Sequence, residues 1–280
     1  MEVILSDELH YDIDPQGIAH VTLNRVDKHN AFGNHLIHEL IIALDYLAEH
    51  PNVRCLVLKG NGEHFSSGAD LRWMKQMAEQ NHDANIKDAN QLAKLMKVLD
   101  QFPHPTLAYV HGWAFGGALG LICCCDIVLA DRSAKFCLSE VKLGLVPATI
   151  APYVCRAMGA RQARRYMLTA EPIDTEKALD LQLIHQITSP ETVEQDMQDI
   201  LSRILRNSPA ALTQAKELIQ HCDNHPIDRD LIRYTSHMIA NIRVSLEGQE
   251  GLSAFLEKNA HPVGIKRNLE CVLCLSPKKS

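Results

Sequence analysis

Apolar residues open the chain in short β-rich runs, at residues 3–5, 9–13 and 18–23, and Asp14-Pro15-Gln16-Gly17 separates the last two as a turn. The pattern predicts an opening hairpin. The period then lengthens: Leu36, Ile37, Leu40, Ile41, Leu44 and Leu47 recur at helical spacing. Residues 53–58 follow as an almost unbroken apolar run, suited to a strand covered on both faces. A second amphipathic helix carries Leu92, Leu95, Met96 and Leu99, and Pro103 and Pro105 end it before a strand over residues 106–110. An apolar helix over residues 117–125 runs into another strand at residues 127–130. The alternation predicts an α/β core. After about residue 185 the character shifts, and the C-terminal third is helical with nothing strand-like in it. Ser189-Pro190 opens a helix bearing Val193, Met197, Ile200, Leu201, Ile204 and Leu205 on one stripe. The expected organisation is a core over residues 1–190 and a helical region over 191–280. The apolar stripes of that region need cover from the same chain or from a neighbouring subunit.

Composition narrows the class. With 280 residues, 46% apolar and 22% charged, the chain is an ordinary globular one. No apolar run approaches the ~20 residues of a membrane span. The first eight residues carry acids where an export signal carries a basic patch, so a cytoplasmic protein is expected. The net charge of −6 argues against nucleic acid as a partner, because phosphate-backbone affinity comes from clustered Lys and Arg. Nine cysteines, an odd number, read as reduced thiols. Cys123-Cys124-Cys125 diverge around a helix by about 100° per residue and lack a partner motif, which favours small buried hydrophobes over a metal cluster. His35 and His38 lack a third ligand in register and read as surface residues. No metal is expected.

Three segments carry candidate chemistry. His64-Phe65-Ser66-Ser67-Gly68-Ala69-Asp70-Leu71-Arg72 follows a buried strand and precedes a helix, so its small residues and unpaired N–H groups can meet an anionic oxygen. His111-Gly112-Trp113-Ala114-Phe115-Gly116-Gly117 is a second strand-to-helix turn of that kind. It fits neither the dinucleotide G-x-G-x-x-G pattern nor a P-loop. In the third, Glu140 stands within the apolar stretch of residues 136–150, where burial would raise its pKa and suit it to proton transfer near neutral pH. Taken singly, each has a plain structural reading: a helix cap, close helix packing, a surface carboxylate. Together they supply what enolate chemistry on a thioester requires, two donors for the oxygen that becomes negative and a carboxylate that moves the proton.

The chain resembles the crotonase, or enoyl-CoA hydratase/isomerase, superfamily over nearly its whole length. The resemblance rests on Val21-Thr22-Leu23-Asn24-Arg25 with Lys28-His29-Asn30-Ala31-Phe32, on Phe65 to Asp70, and on Gly112 to Gly117, in that order. It implies a spiral of ββα units with a C-terminal helical region that builds trimers, often paired into hexamers. It also implies that the N–H groups of Ala69 and Gly117 form the oxyanion hole and that Glu140 is a catalytic carboxylate. Ala69, Asp70, Leu71 and Arg72 would line the coenzyme A site. Arg25, Arg72 and Lys258 are candidate partners of the coenzyme A phosphates, and coenzyme A enters only as part of the substrate, with no other cofactor.

Two departures mark this chain. Hydratases of the family place a second Glu three residues beyond the oxyanion glycine, where this sequence has Gly120. Pro147-Ala148-Thr149-Ile150 replaces a glycine-rich turn, and with Ser139-Glu140-Val141 it is similar to the methylglutaconyl-CoA and carboxygeranoyl-CoA hydratase subgroup. The expected activity is hydration of a 2-enoyl-CoA, possible on a branched acyl group. A Δ3,Δ2-enoyl-CoA isomerase, which needs one proton shuttle, is the alternative enzyme, and a non-catalytic acyl-CoA or RNA-binding scaffold is the alternative outside enzymes. A hydrolase or dehalogenase lacks an identifiable nucleophile in these motifs.

Overall fold

The structure, a computed structural model, describes residues 3–223 and 225–256. Three antiparallel strands lead: β1 (Val3–Ser6), β2 (Leu9–Ile13) and β3 (Ile18–Leu23). Asp14 closes the turn between the last two, its Oδ1 accepting from the N–H groups of Gln16 and Ile18. Helix α1 (Asn34–Glu49) buries the leucine and isoleucine stripe that the spacing predicts. Then come β4 (Cys55–Gly60), α2 (Leu71–Ala78) and α3 (His82–Asp100), whose buried Leu95, Met96 and Leu99 belong to the same core as the α1 stripe. The chain continues through β5 (Thr106–Val110), β6 (Trp113–Phe115), α4 (Gly117–Cys124), β7 (Ile127–Asp131) and β8 (Lys135–Cys137). It goes on to α5 (Ala151–Met158), α6 (Ala160–Thr169), β9 (Ile173–Asp174), α7 (Thr175–Asp180), β10 (Gln186–Thr188) and α8 (Val193–Leu205). Helices α9 (Pro209–Asp223), α10 (Arg229–Val244) and α11 (Leu246–Leu256) end the described chain.

One sheet has the order β1-β2-β3-β4-β5-β7-β10, parallel from β3 onward. Its central strands are buried on both faces, which is why they read as continuous apolar runs. A second, smaller layer positions the site. Strands β6, β8 and β9 form a three-stranded sheet, and single parallel bridges, Ser66 to Ala114 and Phe32 to Ala69, extend it. Each passage from a large-sheet strand to the next helix therefore crosses this layer as one rung. The order of rungs is Phe32, then residues 66–69, then Ala114, then Phe136. This mixed α/β spiral is the architecture the resemblance implies.

The sequence pattern missed this layer because its strands are two or three residues long, too short for a period to register. Regular helix after Ser189-Pro190 starts at Val193, later than the pattern suggests. Ser189 still accepts from the N–H groups of Thr192 and Val193, so the dipeptide forms the entry turn. The chain divides into two compact units, residues 1–198 and 199–280, and the division falls inside α8. In the second unit Leu231 and Met238 are buried, and Asp228 caps α10 through the N–H groups of Asp230 and Leu231. Ile219, Val244, Leu246, Phe255 and Leu256 are exposed there. No described helix is long and apolar enough to cross a membrane. Cys124 and Cys125 pack in the core of the first unit as small hydrophobes.

Candidate active site

The first rung pair fixes Ala69. Phe32 N–H donates to Gly68 O at 2.7 Å and Asp70 N–H donates to Phe32 O at 2.7 Å. In a parallel bridge of this kind the residue between the two bonded neighbours turns its own N–H to the opposite side. Ala69 N–H accordingly has no acceptor among the described residues and faces away from the Phe32 segment. The turn is held elsewhere too: Ser66 Oγ donates to Asn30 O and accepts from Gly68 N–H, and Ser67 N–H donates to His29 O. Gly68 has φ +84°, and a Cβ there would lie 2.8 Å from Phe115 O, so only glycine fits both the backbone and the space. Asp70 then caps α2, its Oδ1 accepting from Arg72 N–H at 2.7 Å and Trp73 N–H at 3.3 Å.

The second turn lies on the neighbouring rung. Ser66 N–H donates to Trp113 O, Phe115 N–H donates to Ser66 O, and Gly116 N–H donates to Cys137 O at 2.9 Å. Gly117 is the first residue of α4, so its N–H is one of the helix's orphan donors, and no acceptor holds it among the described residues. The ring of Phe32 packs against it: a Cβ on Gly117 would stand 3.3 Å from Phe32 Cδ2. Phe32 is thus the backbone partner of one turn and the side-chain neighbour of the other. Sequence reasoning matched its motif without seeing this role, since nothing local marks one apolar residue as a spacer.

Glu140 opens a short 3-10 turn over Glu140–Leu143, after β8. Its carboxylate reaches back to the second turn: a Cβ on Gly116 would lie 2.9 Å from Oε1. Oε2 is buried with no hydrogen-bond partner. Burial pushes the Glu140 carboxyl above its ordinary value of 4.5, and no cation is among the causes acting on it. A half-buried carboxyl with one buried oxygen unpartnered costs free energy, and such groups concentrate where a proton must be moved.

Gly120 lies one turn into α4. A Cβ there would stand 2.3 Å from Ile150 Cγ2 and 2.7 Å from Met96 Sδ, both buried side chains. The position a second Glu would take is filled by a thioether and a branched methyl. Neither blocker could be found from local sequence, because Met96 comes from α3 and Ile150 from the entry to α5.

The candidate cations separate. Arg25 Nη1 stands 2.7 Å from Asp70 Oδ2 and donates to Ala31 O at 3.1 Å, while its Nε faces Glu8 Oε1 at 3.0 Å. Burial alone would raise the Asp70 carboxyl. The two helix N–H donors and the Arg25 guanidinium outweigh it and hold the group below its ordinary value. Arg72 is exposed beside exposed Leu71 and has no ion pair among the described residues. Lys258 lies outside the described residues. The structure therefore brings Ala69, Asp70, Gly117 and Glu140 into one neighbourhood, ties Arg25 to Asp70, and leaves Arg72 at the rim.

The family model described as enoyl-CoA hydratase/isomerase matches residues 14–263. The 2,3-dehydroadipyl-CoA hydratase of Escherichia coli is 31% identical over 245 residues, 87% of this chain and 93% of that protein. The crystal structure of an enoyl-CoA hydratase from Shewanella pealeana is 50% identical with a TM-score of 0.87, covering 90% of this chain and 94% of that one. AtuE of Pseudomonas aeruginosa is 31% identical with a TM-score of 0.86 over 90% of this chain and 97% of its own.

Proposed function

The chain belongs to the enoyl-CoA hydratase/isomerase family, and from that premise we propose that it adds water across the 2,3 double bond of a 2-enoyl-CoA with Glu140 as its single proton-transferring carboxylate. The observation that carries this reading is the buried, unpartnered Oε2 of Glu140 beside the turn that presents the Gly117 N–H. The thioester oxygen accepts from Ala69 N–H and Gly117 N–H, which stabilise the negative charge that develops as the double bond is attacked; one such donor is worth roughly 100- to 1,000-fold in rate. Glu140 takes a proton from water as the hydroxide bonds to C3, and returns that proton to C2. Both hydrogens of water and its oxygen are accounted for, and the product is the 3-hydroxyacyl-CoA.

With Gly120 sealed by Ile150 and Met96, no second carboxylate assists from that position of α4. The same economy suits a Δ3,Δ2-isomerase, in which one group carries a proton from C2 to C4 and no water is fixed, so isomerisation is the second reading. The finer substrate in this proposal is a branched 2-enoyl-CoA such as 3-methylglutaconyl-CoA, supported by the Ser139-Glu140-Val141 and Pro147-Ala148-Thr149-Ile150 segments. Arg72 at the rim of the first turn meets coenzyme A phosphate, since Asp70 has already taken the N–H of Arg72 and Trp73. Coenzyme A enters with the substrate and the balanced reaction uses no other group. The exposed apolar residues of α9 to α11 support assembly with further copies of the chain. Incubation with 2-enoyl and 3-enoyl thioesters in 18O-water tests the choice. Labelled 3-hydroxyacyl-CoA supports the hydratase, and conversion of the 3-enoyl substrate to its unlabelled conjugated isomer alone supports the isomerase.

A further inference from the structure

Arg25 is a candidate for coenzyme A phosphate by its sequence position, yet its side chain points inward to a different task. Three of its contacts join segments that bracket the first donor turn. Nη1 binds both Asp70 Oδ2, at 2.7 Å, and Ala31 O, at 3.1 Å, and Nε is held by Glu8 Oε1 at 3.0 Å. Asp70 is only 8% exposed and is the immediate neighbour of Ala69. Its other oxygen caps α2, and its N–H is bonded to Phe32 O. Ala31 adjoins Phe32, the residue whose N–H binds Gly68 O on the far side of Ala69. One guanidinium therefore spans the two strands of the bridge that turns Ala69 N–H outward.

We propose that Arg25 is a positioning residue for the Ala69 N–H donor, acting through Asp70 and Ala31, and that it is not a ligand of the coenzyme A phosphates. The proposal rests on the reading of Ala69 as an oxyanion donor. Its physical basis is geometric. A planar guanidinium can hold a carboxylate and a carbonyl together in a fixed plane, which an ammonium does less well. Losing it leaves the Asp70 carboxylate buried without its counter-charge, and the cheapest relief is to draw Asp70 toward water. Such a movement swings the adjoining peptide, and misplacement on the order of 1 Å costs about 100-fold in rate.

The test compares wild type, Arg25→Gln and Arg25→Lys on one enoyl group carried by coenzyme A and by pantetheine, which lacks the nucleotide and its phosphates. Positioning predicts that Arg25→Gln lowers kcat about 10- to 100-fold equally on both carriers, with KM changed less than about threefold, and that Arg25→Lys recovers part of the loss. A rise in KM confined to the coenzyme A thioester, with kcat preserved, would make Arg25 a phosphate ligand and overturn the proposal. Unchanged kinetics would overturn it as well. Should Arg25→Gln fail to fold, Arg25→Lys carries the test through the absorbance of bound cinnamoyl-CoA, whose red shift reports polarisation of the thioester carbonyl. A diminished shift at unchanged affinity supports positioning, and an undiminished shift contradicts it. That readout needs binding and no turnover, so a wild type that binds without hydrating would sink the hydratase reading while still deciding the role of Arg25.

Discussion

The Glu140 carboxylate stands against Gly116, where a Cβ would come within 2.9 Å of Oε1. That contact couples the proton-moving group to the turn that presents the Gly117 donor. It also explains a glycine at a backbone conformation of φ +50°, ψ −118° that other residues rarely adopt. Gly116→Ala is expected to lower kcat by about 100-fold or more, because it both strains the turn and pushes the carboxylate aside. Steady-state kinetics with a circular-dichroism check of folding measure it, and activity within threefold of wild type would refute the coupling.

Glu140 should set the acid limb of the pH profile. Its carboxyl lies above 4.5 because burial disfavours the charge, and the reading requires the ionised form to take a proton from water. Activity therefore falls as pH is lowered through that raised value. The limb of kcat/KM, which reports the free enzyme, should sit above the ordinary value of 4.5. In Arg72→Ala, which leaves Glu140 untouched, the limb should stay where it is while KM for the coenzyme A thioester rises severalfold.

The same shift carries a stability consequence of definite sign. A carboxyl whose pKa is higher in the folded than in the unfolded state contributes stability that is present below the unfolded value. That contribution is lost as pH rises through the folded one. At pH 7 the wild type holds a desolvated charge that Glu140→Gln lacks. The variant is expected to melt higher than wild type at pH 7, with the gap narrowing as pH falls toward 4.5. Thermal scans at several pH values check this; a variant less stable at pH 7 than at pH 5, relative to wild type, contradicts it.

Gly120 is a packing prediction. Alanine in place of a helical glycine ordinarily gains up to about 1 kcal/mol. Here its methyl would meet Ile150 at 2.3 Å and Met96 at 2.7 Å, so overpacking of about 1–3 kcal/mol should win. Gly120→Ala should lower Tm in the wild type and should cost much less when it is added to Ile150→Ala, whose own loss of buried side chain is the reference. A more stable Gly120→Ala would mean that the slot is open.

How much of this was legible beforehand depends on distance along the chain. Strands β2, β3 and β5 follow from β-rich runs of five or six residues, and the stripe of α1 from a period of 3.6. Both donor turns were legible as small-residue junctions between strand and helix. Strands β6, β8 and β9 were not, since two or three residues display no period. The seal over Gly120 and the spacer role of Phe32 were hidden for a different reason. Met96, Ile150 and Phe32 are ordinary apolar residues whose meaning comes from partners 24, 30 and 85 positions away. Arg25 was legible as a functional cation by its place after β3, but its direction depends on Glu8 and Asp70, on either side of it in sequence.

The most direct test follows the loss of enoyl-thioester absorbance with crotonyl-CoA and 3-methylglutaconyl-CoA, in wild type and Glu140→Gln, with products identified by mass. A single-carboxylate hydratase predicts water addition by the wild type and a fall of about 100- to 10,000-fold in Glu140→Gln, with the fold intact. Water addition that survives in Glu140→Gln, or none by the wild type on either thioester, would contradict the assignment.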